Sequence, residues 1–88
     1  MQEYVLEFYA RHDDARAATN DGKRARAAAE ELTRRGTPVH YDRLIFVPTE
    51  ETCFVLFEAE SADAIRAVAS LADLPCGHVS AVHPQTAD

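Results

Sequence analysis

Eighty-eight residues form a single small domain, 1–88, and 47% apolar with 27% charged residues is a globular composition rather than a disordered one. The net charge of −6 argues against a phosphate-backbone binder, which needs a basic stripe. No apolar run approaches the roughly 20 residues of a membrane span, and the N-terminus carries no signal-peptide pattern, so a cytoplasmic chain with no membrane or nucleic-acid partner is expected.

Tyr4 to Tyr9 alternates with period two, Tyr4, Leu6 and Phe8 on one side and Val5, Glu7 and Tyr9 on the other, and reads as a strand. Asp13 or Asp14 can cap the helix that follows. Its stripe of Ala18, Gly22, Ala25, Ala29 and Leu32 is mostly small, so the helix should lie close to whatever it covers. Asn20-Asp21-Gly22 is a weak point, and a start at Asn20 is the alternative. The basic groups Lys23-Arg24-Ala25-Arg26 and Arg34-Arg35 are separated by Glu30 and Glu31, which suits a solvated face. Gly36 can end the helix in a left-handed cap, and Pro38 blocks its continuation.

Val39 to Val47 is a β-like run, 48–51 a turn, and Thr52 to Glu58 a second strand, together a hairpin. The second strand is apolar on both sides, with Cys53, Val55 and Phe57 on one and Phe54 and Leu56 on the other. Such a strand is central and covered twice. Ser61 caps a second helix, with Asp63 in its first turn and Ile65, Val68, Ala69 and Ala72 as its buried stripe. Leu74-Pro75-Cys76-Gly77 breaks it. Val79 to His83 is the last strand, and 84–88 a frayed tail.

The order β-α-β-β-α-β predicts an α+β, ferredoxin-like sandwich, a four-stranded antiparallel sheet with two helices on one face. The other face is left open. In one register it carries Val5, Glu7, Tyr9, Cys53, Val55, Phe57, Val79, Ala81 and His83, too apolar to stay wet. A homodimer packed through the open faces is therefore expected, with a pocket formed by Tyr9, Cys53, Val55 and Phe57. A small chain gains stability from such a partner.

No motif reaches the specificity of a P-loop or HExxH. His40 and Asp42 lie two apart on one strand, and His78 and His83 flank the last one. With His12, Cys53 and Cys76 these are donor types that suit Ni, Zn, Cu or Co. His40, Asp42 and His83 are the candidate metal ligands; ordinary strand-end histidines are the bland alternative. Glu7, His40 and His83, with Tyr9 and Asp42 near them, are candidate acid–base groups for a cofactor-free isomerase or cyclase. Glu7 pairing across a dimer or reaching solvent is the plain reading there. Cys53, inside an apolar strand, should be an inert thiol; Cys76, near His78, should be a more exposed one, and no disulfide is expected. A β-bulge in the long second strand would reverse its inside–outside pattern.

The stretch Phe46-Val47-Pro48-Thr49-Glu50-Glu51-Thr52-Cys53-Phe54-Val55-Leu56-Phe57-Glu58-Ala59-Glu60-Ser61-Ala62-Asp63-Ala64-Ile65 resembles the DUF4242 family, small nickel-responsive, ferredoxin-like bacterial proteins common in actinomycetes. The likeness extends to Tyr4–Tyr9, the helix ending in Gly36, Val39-His40-Tyr41 and the Leu74-Pro75 turn. It implies a ferredoxin-like dimer with metal capacity, and His40 matches a histidine at the start of the second strand in that group. The combined expectation is a cytoplasmic dimer that binds a divalent metal (nickel or zinc) or a small molecule on its open face. A small enzyme of secondary metabolism and a purely structural or regulatory dimer are the alternatives.

Overall fold

The computed structural model describes residues 1–11, 13–75 and 77–83. Expectations for His12, Cys76 and the tail fall outside these residues. The elements are β1 (Gln2–Tyr9), α1 (Ala15–Arg34), β2 (Val39–Val47), β3 (Thr52–Ala59), α2 (Ala62–Leu71) and β4 (His78–Val82). The strands form one antiparallel sheet in the order β2-β3-β1-β4, with both helices on one face. This is the ferredoxin-like arrangement. No helix among the described residues is long and apolar enough to cross a membrane.

Local chemistry sets the boundaries. Asp14 caps α1, its carboxylate accepting from the Ala17 N–H at 3.0 Å, so the helix starts before Asn20 rather than at it. At the other end the Gly36 N–H donates to Thr33 O and the Thr37 N–H to Leu32 O, a Schellman closure. Gly36 supplies the left-handed residue, with φ +99°. α2 begins at Ser61, whose Oγ accepts from the Ala64 N–H at 3.3 Å. It closes the same way, Leu74 N–H to Ala69 O, with Asp73 in the left-handed position at φ 57°. Between β2 and β3 a 3-10 turn, Pro48–Glu50, is followed by Glu51, also left-handed.

The core lies between sheet and helices. Leu6 and Phe8 of β1 and Cys53, Val55, Phe57 and Ala59 of β3 meet Ala25, Ala28 and Ala29 of α1 and Ile65 and Val68 of α2. The small stripe of α1 brings it down onto β2. Gly22 marks the close approach: a Cβ there would lie 3.2 Å from the Tyr41 hydroxyl and 3.6 Å from Leu44 Cβ. Tyr41 in turn packs edge-on against Phe57, ring centroids 5.9 Å apart. Gly77 marks a second approach, at the entry to β4. A Cβ there would run into the Glu7 carbonyl and sit 3.0 Å from Phe8 Cβ.

The register corrects the expected facing of β3 and β4. Val55 stands opposite Leu6, Cys53 opposite Phe8, and Phe57 opposite Tyr4. Directly opposed residues share a face. Once Leu6 and Phe8 point at the helices, Cys53, Val55 and Phe57 must do so too, and all three are buried. They cannot line a pocket on the open side with Tyr9. Val79 and Ala81 follow, opposite Leu6 and Tyr4. The outward set of β3 is Thr52, Phe54, Leu56 and Glu58. β2 also departs from a plain alternation: the ladder shifts between Tyr41 and Arg43, which leaves Asp42 as the bulged residue. His40 and Asp42 are therefore separated by a break in the ladder, not linked by the plain alternation that the two-residue spacing suggests.

Candidate functional site

The uncovered face can be laid out from the ladders as rows across β2, β3, β1 and β4. One row is Ile45, Phe54, Glu7 and His78; the next is Arg43, Leu56, Val5 and Ser80; the third is His40, Glu58, Glu3 and Val82. Val47, Thr52 and Tyr9 close one end. Side chains opposed in this way stand about 5 Å apart at Cβ. The centre is thus an apolar belt of Ile45, Phe54, Leu56 and Val5. Ile45, at 39% exposed, is one of few large apolar side chains in water. Ionisable groups lie at either end of the belt.

At one end Glu7 of β1 and His78 of β4 are direct neighbours, a carboxylate beside an imidazole. At the other, His40 of β2, Glu58 of β3 and Glu3 of β1 stand side by side. Two carboxylates directly opposed, Glu58 and Glu3, repel, and a cation near them would relieve that. Tyr9, 67% exposed, donates its hydroxyl to Glu51 Oε2 at 3.2 Å. This hydrogen bond, then the Glu51 charge, holds the Tyr9 phenol above its usual range.

Of the residues expected at the site, the fold brings Glu7, Tyr9 and His40 onto the open face. His83 lies one residue beyond β4, and three strand spacings, about 14 Å, separate that edge from His40 on β2. His40, Asp42 and His83 therefore do not converge within one chain. Among the described residues no three His, Cys, Asp or Glu side chains are placed to hold a metal ion. Cys53 is free and buried, and burial pushes its thiol above the ordinary range, as suits an inert core thiol.

Glu3, Glu58, His78, Phe54 and Leu56 were missed as site residues. The signal was in β3 itself. Its inward set, Cys53, Val55, Phe57 and Ala59, is apolar to both ends, whereas its outward set is bracketed by Thr52 and Glu58. Polar residues at the ends of one alternate row mark the wet side.

No family model matches the chain, and no curated protein matches it. A solved crystal structure, SCO4226 from Streptomyces coelicolor A3(2), is similar at a TM-score of 0.72 and 21% identity, covering 97% of this chain and 99% of that one. At that identity the likeness shows the shared fold, along nearly the full length of both chains.

Proposed function

We propose that this chain is a homodimeric ligand-binding module, its open sheet face packed on that of a second copy and a small ligand held at the ionisable margins. The observation that carries this reading is the belt of Ile45, Phe54, Leu56 and Val5 on a face that neither helix covers. Strands of eight, nine, eight and five residues span on the order of 500 Å² in projection, and side-chain relief raises that toward the roughly 600–1,000 Å² each partner gives to a stable interface. The belt would supply the dry centre and Glu3, Glu7, His40, Glu58 and His78 the polar rim. The resemblance to DUF4242 points the same way.

A divalent metal is the second reading, favoured by the row His40, Glu58 and Glu3. One chain does not offer a full donor set there, so a metal would draw on both copies. The carboxylate–imidazole pair of Glu7 and His78 is the arrangement a proton-transferring isomerase or cyclase would use, and is the enzymatic form of the same proposal.

Native mass spectrometry of the purified protein tests these readings together. The proposal expects a dimer carrying a stoichiometric mass excess, and loss of both dimer and excess in Leu56→Asp. A bare dimer points to a structural or regulatory role instead. The metal reading further expects a rise in melting temperature with Ni²⁺ or Zn²⁺ that His40→Ala removes; no shift with either ion would sink it.

A further inference from the structure

On the opposite side of the sheet, α1 and the edge strand β2 enclose an open groove of about 400 Å³. It exists because α1 approaches β2 closely at Gly22 and then presents only small side chains toward the first turn. Ala18 and Gly22 form one wall, and Leu44 and Phe46 the other. Tyr41 closes one end, its hydroxyl beside Gly22, and Lys23 and Arg26 stand at the lip. A volume of this order suits a small organic ligand.

The charges on α1 are distributed unevenly about this groove. Farther along the helix Arg24 is held by Asp21 at 2.7 Å, and Arg35 by Glu31 at 2.8 Å with Arg34 on the same carboxylate, whereas Arg16 in the first turn has no ion pair among the described residues. The two cations at the groove are also loosely held. Lys23 has no ion pair or hydrogen bond among the described residues, and Arg26 reaches Glu30 only at 3.8 Å, in water, where such a contact contributes little. Two loosely held cations thus stand over an apolar slot in a chain of net charge −6. Tyr41 adds a hydroxyl at the same place. Burial raises this phenol above its usual range, so it remains a donor at neutral pH.

We propose that the α1–β2 groove is a second binding site, for a small carboxylate with an aromatic or other flat apolar body. The body lies between Ala18 and Phe46, and the carboxylate meets Lys23, Arg26 and the Tyr41 hydroxyl. Arg26 can take a carboxylate through two parallel N–H donors, whereas Lys23 acts as a point charge. The site is independent of the open sheet face.

The test is an amide-resolved NMR titration of the full chain with 2-naphthoate, with the neutral 2-naphthamide and inorganic phosphate as comparison probes. Saturable shifts confined to α1 from Ala18 to Arg26 and to β2 from Tyr41 to Phe46 are expected with naphthoate. Naphthamide and phosphate should each bind at least ten-fold more weakly. The double variant Lys23→Ala, Arg26→Ala, which changes only exposed side chains, should weaken naphthoate by ten-fold or more. Ala18→Leu, which fills the slot, should do the same with the cations intact. Equal affinity for naphthoate and naphthamide, shifts centred on Val5, Phe54 and Leu56, or no saturation by 10 mM naphthoate would each overturn the proposal.

Discussion

The two faces of the sheet carry nearly the same apolar material and meet opposite fates. On one face Leu6, Phe8, Val55 and Phe57 are buried under α1 and α2. On the other, Val5, Ile45, Phe54 and Leu56 have no helix above them among the described residues. The two-layer slab measures 38 × 36 × 17 Å, its short axis leaving room for one sheet and one helix layer. The difference lies in what surrounds each apolar centre. The covered face ends in Ala59 and meets Ala25 and Ala29 of α1, small side chains that let backbone approach backbone. The open face runs out into Glu3, Glu7, Glu58, His40, Arg43 and His78. A strand such as β3, apolar on both sides, asks for two covers, and the described residues provide only one.

Mutations on the two faces separate these roles. Phe57→Ala removes a fully buried ring and its edge contact with Tyr41, and should cost about 3–5 kcal/mol in denaturant unfolding. That is much of the stability of a domain this size. Gly77→Ala attacks both faces at the β1–β4 seam. The new Cβ meets the Glu7 carbonyl, so β4 must move away and carry His78 from Glu7; a loss of about 2–3 kcal/mol is expected, with amide exchange faster in 78–82 than in β3.

The smallest effect belongs to the outer surface of the covering layer. Hydrogen bonds from Arg34 and then Arg35 hold the Glu31 carboxyl below its ordinary value. Its contribution is therefore present above the unfolded carboxylate pKa, about 4.3, and is lost as pH falls through the lower folded value. Glu31→Gln should melt slightly lower than the natural chain at pH 7, and the gap should close on acidification through about pH 4. A gap that persists unchanged to pH 2 would mean that the ion pairs are not its source.

Most of the fold was legible because period and caps agreed. The alternation of β1, the caps at Asp14 and Ser61, the stripe of α2 and the closure at Gly36 each recur in the structure. Asp73 was not legible as the end of α2, since a left-handed aspartate has no period to betray it. The facing of β3 was misread because both of its rows are apolar at the centre; only the polar ends of one row, Thr52 and Glu58, marked the wet side, and the pairing with β1 fixes it. The same error moved the candidate pocket to the wrong side. Glu7 and Tyr9 kept their face because β1 alternates clearly, whereas the facing of His40 and Asp42 was open in the sequence, since it depended on a bulge in β2 that composition does not announce.

The claim that a second copy covers the open face is tested most directly by sedimentation equilibrium at micromolar concentration, on the natural chain and on Leu56→Asp. The account predicts twice the 9.7 kDa chain mass for the first. For the second it predicts a folded monomer with unchanged helix content. A natural chain that sediments as a monomer, or a Leu56→Asp variant that remains dimeric, would contradict it.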